Sequence, residues 1–213
     1  MLTVHHLGRS QSERIVWLCE ELGVPYDLKL YRRDPVTLLA PPEYKALHPS
    51  GAAPVIIDGE SVLAESGAVV DYIVAKHGSG RLALGPDHHD FAHYLFWFHF
   101  ANGTLQPSMG RNMTLRWLNL PTDNPVAVTM LGRLDRALAL VEARLGEVDH
   151  FAGREFTAAD IMMVFSLTTM RVFMPVDLSP YPGIRAYLRR IGARDGYRRA
   201  MRKGDPDMTP LLT

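Results

Sequence analysis

The sequence predicts an α/β N-terminal domain followed by an all-α helical domain, and three observations carry that expectation. Up to residue 77, short strand-like runs alternate with helix-like ones. Glycine- and proline-bearing punctuation over residues 78–86 then marks a boundary. Beyond it, apolar residues recur at helical spacing almost throughout. The expected division is a first domain over residues 1–79, a linker over 80–88 and a helical domain over 89–213. With 213 residues, 47% of them hydrophobic, the chain has enough apolar surface for two cores.

Leu2 and Val4, with Thr3 between them, begin a short strand that runs into a turn at Leu7-Gly8. Helical period then places Ile15, Leu18, Cys19 and Leu22 on one face. Gly23 is placed to close this helix in a left-handed conformation, and Pro25 prevents it from continuing. Ser10 and Ser12 therefore sit where a strand hands over to a helix N-terminus. Serines there serve as caps, and the free amides beside them also favour an anion such as a thiolate or carboxylate. Residues 26–30 alternate as a half-buried strand, parallel to the first by right-handed crossover. A polar, proline-bearing connection over 32–42 and a short helix over 43–47 follow. Two apolar strands separated by Asp58-Gly59 form a hairpin. Glu65-Ser66 opens a helix to His77, with Val69, Tyr72, Ile73 and Lys76 at helical spacing and Gly78 as its stop. The order β-α-β-α-β-β-α, its last two strands antiparallel, points to a thioredoxin-like domain.

The second half reads as helices. An aromatic-rich one spans residues 90–103, with Phe91, Tyr94, Phe96, Trp97, Phe98 and Phe100, and helix resumes after Pro107 to Trp117. Asn124-Pro125 is an N-cap with proline at the first helical position. Leu131, Leu134, Leu138, Val141 and Leu145 form the core stripe behind it, ending at Gly146. Thr157 and Asp160 make a capping box flanked by Phe156 and Ile161, and the helix they open is apolar enough to be buried nearly all round. Two short helices, 182–191 and 195–201, precede a polar tail.

Composition narrows the function. Lys plus Arg and Asp plus Glu both number 23, so no global field draws in nucleic acid or an anionic membrane. The basic set near the C-terminus (Arg185, Arg189, Arg190, Arg194, Arg198, Arg199, Arg202, Lys203) reads as a solvated helix face. No basic-then-apolar leader opens the sequence and no run approaches the ~20 apolar residues of a membrane span, so a cytoplasmic protein is expected. The single cysteine excludes an intrachain disulfide, and Cys19 reads as a buried, inert thiol. His89 and His93 are spaced as a helical metal pair but lack a third ligand, so no metal is expected. His5 and His6 end the first strand next to Ser10 and Ser12 and read as packed or capping residues in preference to acid–base groups.

Four motifs in matching order resemble the glutathione S-transferase family over essentially the whole chain. They are Ser10-Gln11-Ser12-Glu13-Arg14 with the helix behind it, His48-Pro49-Ser50-Gly51-Ala52-Ala53-Pro54-Val55, Glu65-Ser66-Gly67-Ala68-Val69, and Phe156-Thr157-Ala158-Ala159-Asp160-Ile161. Their form is closest to bacterial and fungal members with serine in the catalytic place. The resemblance implies a cytosolic homodimer that takes glutathione as co-substrate and conjugates it to a small hydrophobic electrophile held against the helical domain, as in detoxification. It makes Ser10 the thiol contact, with Ser12 second, and it makes Ala53-Pro54 a cis bond whose alanine pairs with the tripeptide backbone. Glu65 and Ser66 would receive the γ-glutamyl end, although by residue type alone they read more readily as a helix cap. The aromatic stripe from Phe91 to Phe100 reads mostly as core and dimer packing, from which Tyr94, Phe98 or Asn102 would border the pocket or reach the partner's site. Two positions depart from the pattern: Ala52, often lysine in the family, and Gly67, often larger. The first removes a cation near the glycyl carboxylate, for which Arg32, Arg33 or Lys45 would compensate. The same site would also serve a glutathione-dependent peroxidase or disulfide reductase, or a non-catalytic glutathione-binding regulatory protein.

Overall fold

The central strand β1 (Leu2–Leu7) lies between β2 (Asp27–Tyr31) and β3 (Val55–Asp58) in a computed structural model that describes residues 1–121 and 123–213. With β4 (Ser61–Ala64) the sheet order is β2-β1-β3-β4. β2 runs parallel to β1, with Leu7 opposite Tyr31; β3 is antiparallel to β1, with His5 opposite Val55; β4 is antiparallel to β3, with Val55 opposite Ala64. The helices of this region are α1 (Glu13–Leu22), α2 (Pro42–Lys45) and α3 (Ser66–Lys76), so the expected β-α-β-α-β-β-α order is present. α1 ends at Gly23 with φ 64°, a left-handed cap whose N–H returns to Cys19 O. Leu2, Val4, Ile15, Leu18, Ile56, Val69, Val70 and Ile73 are all buried.

α1 is buried all round, not along one face: Val16 and Trp17 are as enclosed as Ile15 and Leu18. The reason lies far along the chain. Residues Met1–Ala83 and Gly192–Pro210 form one compact unit, in which α9 (Asp195–Gly204) packs on α1. Residues 192–210 thus group with the thioredoxin-like sheet, unlike the expected assignment of 89–213 to a helical domain. Trp17 meets Tyr197 edge-on with ring centroids 5.1 Å apart. Glu20, its side chain 7% exposed, pairs with Arg199 at 2.9 Å and with Lys203, and Glu21 pairs with Arg194 at 2.8 Å. Burial alone would raise the Glu20 carboxyl, but hydrogen bonds from Lys203, Tyr26 and Arg199 carry it below its ordinary value. Arg194, Arg199 and Lys203 therefore fasten a helix, correcting the expectation of a wholly solvated basic face.

The second unit, Leu84–Ile191 with Leu211–Thr213, is helical. α4 (Phe91–Phe100) passes without a break through a π-helical turn at Ala101–Leu105 into α5 (Gln106–Leu118). The expected interruption between Gly103 and Pro107 is absent because the π-helical turn immediately before Pro107 shifts the hydrogen-bond ladder where the proline has no N–H to give. Tyr94, Trp97, Phe98 and Phe100 are buried, and Trp97 and Phe151 pack at 5.1 Å. α6 (Pro125–Glu147) starts on Asn124, whose side chain accepts from the amides of Val126 and Ala127. Leu134, Leu138, Val141 and Leu145 are buried, but Leu131 is 42% exposed and is not part of the stripe. Every residue of α7 (Ala158–Leu167) is buried, and the Thr157–Asp160 capping box is formed. Asp160 also accepts from Phe151 N–H at 3.0 Å and from Tyr187 O–H at 3.1 Å. α8 (Pro182–Ala193) is capped from α6, Glu142 accepting the amides of Gly183 and Ile184 at 2.8 and 2.9 Å. Among the described residues no helix is long and apolar enough to cross a membrane.

Candidate functional site

Strand register brings three of the four motif segments to one edge of the sheet. Gly8 to Ser12 leave the C-terminal end of β1; Ala53-Pro54 lead into β3 at Val55, opposite His5; Glu65-Ser66 leave β4 after Ala64, opposite Val55. Leu7, Tyr44, Val55 and Ala64 form a buried cluster under this edge, with Tyr31, Leu47 and Ala53 packed against it. The Ala53-Pro54 bond is cis. Glu65 precedes α3 with φ 69°, a left-handed conformation unusual for a residue with a Cβ and of the kind that gathers at ligand sites.

Ser10 and Ser12 lie in the turn between β1 and α1 and are 5% and 0% exposed. Their hydroxyls are 2.7 Å apart, and Ser10 Oγ also accepts the Ser12 amide at 3.2 Å. Ser12 occupies the N-cap position of α1 yet its side chain makes no cap bond. Its oxygen turns back to the strand, accepting Leu7 N–H at 3.1 Å and lying 2.9 Å from His6 Nδ1. His6 Nε2 is in turn 3.1 Å from Asp205 Oδ2, and Asp205 Oδ1 accepts Arg9 N–H at 2.8 Å. A buried chain of four side chains thus runs Ser10–Ser12–His6–Asp205. Arg33 holds the turn from outside, donating to the carbonyls of Gly8 at 2.9 Å and Arg9 at 3.2 Å.

Gln11 and Arg14 connect the start of α1 to the start of α3. Arg14 Nη1 donates to Gln11 Oε1 at 2.8 Å and to Ser66 Oγ at 3.1 Å, and Ser66 donates to Gln11 Oε1 at 3.2 Å. Arg14 is fully buried; loss of hydration pushes its guanidinium down to about 9, against the opposing pull of Glu13. Ser66 is 1% exposed and Glu65 is exposed. Sequence reasoning read His6 as packed or capping in preference to an acid–base group, quoted Gln11 and Arg14 only as part of a motif, and gave Asp205 no role at the site. Arg14 carried one signal, an arginine on the apolar side of a helix start; Asp205 carried none, lying 199 residues from its partner.

Other candidates are placed elsewhere. Cys19 is 1% exposed, and burial together with the Glu20 carboxylate pushes its thiol up to about 12. His5 is packed, its Nδ1 2.9 Å from Tyr31 Oη, and desolvation followed by Lys29 lowers its basicity. Arg33 is committed to backbone carbonyls, so it does not stand in for the cation missing at Ala52. His89 precedes α4, so it does not form a helical pair with His93. It stacks on His88 and pairs with Asp90 at 3.0 Å, and the possible ligand atoms of these three residues lie within 4.8 Å of one another. Tyr94 and Phe98 are buried in the core of their unit at 6% and 4% exposure.

The family descriptions "Glutathione S-transferase, N-terminal domain" and "Glutathione S-transferase, C-terminal domain" match residues 9–76 and 117–190. Glutathione S-transferase 3 of Schizosaccharomyces pombe is 31% identical over 226 aligned positions, covering 100% of this chain and 92% of that protein. The crystal structure of a glutathione S-transferase from Actinobacillus pleuropneumoniae matches with a TM-score of 0.87 at 30% identity, over 96% of this chain and 93% of that one. A family member from Pseudomonas fluorescens with two glutathione bound shares the fold, with a TM-score of 0.75 at 21% identity over 94% and 92% of the two chains. With both domain descriptions matched and a relative 31% identical over the whole of this chain, this chain belongs to the glutathione S-transferase family.

Proposed function

We propose that the protein is a glutathione transferase that holds the glutathione thiol as its thiolate against Ser10 and conjugates it to a small hydrophobic electrophile. The observation that carries this is the convergence of the Ser10–Ser12 hydroxyl pair, the cis Ala53-Pro54 bond and the left-handed Glu65 at one sheet edge. The thiol of glutathione is mostly protonated at neutral pH, and only its thiolate is a strong nucleophile. Ser10 would donate a hydrogen bond to that sulfur, with the N-terminus of α1 assisting and Ser12 behind it. Ala53 would pair with the cysteinyl backbone of the tripeptide. Ser66, held by Arg14, suits the γ-glutamyl carboxylate, and the exposed Glu65 suits its ammonium. Relatives of the same fold crystallised with glutathione or with oxidized glutathione support glutathione as the ligand. With Ala52 and Gly67 where larger or cationic residues are common, weak glutathione binding is expected. The proposal includes a cytoplasmic homodimer working in detoxification; Leu95 and Phe96, 39% and 49% exposed on α4, support an apolar contact there, and sedimentation tests it.

Calorimetry of glutathione binding to wild type and Ser10→Ala, with the ultraviolet absorbance of the bound thiolate followed against pH, tests the assignment. A bound thiol more acidic than the free one is expected. In Ser10→Ala that gain should vanish, and the rate with an aryl halide should fall about 10- to 100-fold, the worth of one hydrogen bond to a charged group. No binding at millimolar glutathione would overturn it. Binding without a thiolate signal would favour a regulatory glutathione-binding protein, and peroxide turnover at the same site a peroxidase.

A further inference from the structure

We propose that His6, backed by Asp205, takes up the proton that the glutathione thiol gives up, receiving it through the hydroxyls of Ser10 and Ser12. This rests on the assignment of Ser10 as the thiol contact and adds the destination of the proton. The four side chains are spaced for it at 2.7, 2.9 and 3.1 Å from Ser10 to Asp205. All are buried, with Ser10 at 5%, Ser12 at 0%, His6 at 1% and Asp205 at 8% exposure. Two details point past simple packing. Ser12 stands at the N-cap of α1 but leaves the cap bond unmade and faces His6. The imidazole is also approached so closely by α9 that a Cβ on Gly204 would lie 3.1 Å from His6 Nε2, so the ring is seated with no slack.

Proton counting fixes the direction. With neutral His6 donating from Nε2 to the Asp205 carboxylate, Nδ1 is bare and, at 2.9 Å, accepts Ser12 O–H in preference to the Leu7 carbonyl at 3.3 Å. Ser12 Oγ then accepts Leu7 N–H and Ser10 O–H, and Ser10 Oγ accepts Ser12 N–H and keeps one lone pair for the incoming S–H. When the thiol ionises, its proton passes to Ser10, the Ser10 proton to Ser12 and the Ser12 proton to His6 Nδ1. The S–H bond breaks, an N–H bond forms, no electrons change hands, and the neutral pair becomes a thiolate and an imidazolium next to Asp205. Every hydroxyl now points towards sulfur, so the arrangement that accepts the proton also leaves Ser10 donating to the thiolate. After the sulfur has bonded to the electrophile and the product has left, His6 returns its proton to solvent through the same hydroxyls.

The test is nitrogen NMR of the histidine rings in wild-type protein at neutral pH, with His6 assigned from the spectrum of His6→Gln. The protein is examined free, with S-methylglutathione, which has no thiol proton to give, and with glutathione. His6 Nδ1 is expected to be bare in the first two samples and protonated in the third. Asp205→Asn should abolish that gain and lower turnover roughly 100-fold, the usual worth of a positioned proton acceptor, while S-methylglutathione binds as to wild type, which shows the site still folded. A His6 that is doubly protonated in the free protein, or that stays bare while the thiolate absorbance of bound glutathione is fully developed, would overturn the relay and leave Ser10 as thiol contact untouched. Absence of any thiolate absorbance would overturn the transferase assignment itself, and the relay with it.

Discussion

Cys19 and Asp58 illustrate how opposite surroundings set the behaviour of single groups. The thiol of Cys19, 1% exposed and pushed up to about 12 by burial and Glu20, stays protonated and out of reach at neutral pH. A disulfide reagent is therefore expected to label it only as fast as the protein unfolds; prompt labelling of native protein in a spectrophotometric thiol assay would contradict this. Asp58 accepts from His77 at 2.9 Å, from Tyr72 at 3.0 Å and from Lys76 at 3.1 Å, tying the β3–β4 hairpin to the end of α3. Hydrogen bonds from His77 and Lys76 lead in holding its carboxyl down at about 2. Because the folded value lies below the unfolded one, the contribution is complete above about pH 4 and is lost as pH falls towards 2. Denaturant melts of Asp58→Asn should show a flatter loss of stability than wild type across that window. Asp160 serves only buried donors: its oxygens accept from Phe151 N–H, Thr157 N–H and the Tyr187 hydroxyl. Asp160→Ala should cost at least about 3 kcal/mol, since three donors lose their partner, whereas Thr157→Ala should cost about 1 kcal/mol. Urea melts of the two variants give the comparison.

At the scale of elements, the α1–α9 contact is the test case. Glu20 joins Arg199, Lys203 and Tyr26, so Glu20→Gln should loosen α9 and cost about 2 kcal/mol, the value of losing charge-assisted hydrogen bonds whose cationic partners remain half in water. Hydrogen exchange of residues 195–204 should rise in that variant before exchange in the sheet does. Most elements were legible because their signals are local. The Asp58-Gly59 hairpin, the Gly23 stop, the Asn124-Pro125 start and the Thr157–Asp160 box each lie within a few residues of what they control. The errors came where a local signal was overruled. Gly103 and Pro107 look like a break, but a π-helical turn absorbs them into one continuous run. Leu131 fits the period of α6 but is left exposed near its N-terminal end.

For the whole molecule, legibility followed sequence distance. Ser10, Ser12, Ala53, Pro54, Glu65 and Ser66 could be gathered because each sits in a contiguous motif and the strand order brings those segments to one edge. His6 with Asp205, and Arg14 with Ser66, are meetings across 199 and 52 residues, and no periodicity reports them. The basic C-terminal residues were misjudged for the same reason, since their acidic partners on α1 lie more than 170 positions away.

That long reach has a consequence for how the protein comes into being. The sheet-bearing unit draws on residues 1–83 and again on 192–210, with the other unit occupying the stretch between. During synthesis the ribosome therefore exposes β1 and α1 long before the helix that covers them exists, and Trp17 must wait for Tyr197, as His6 must wait for Asp205. The intervening hundred or so residues can settle first, and only the last stretch of translation closes the earlier half around its own core. A nascent chain halted near residue 191 would carry all six motif residues of the site and still lack the carboxylate at its far end.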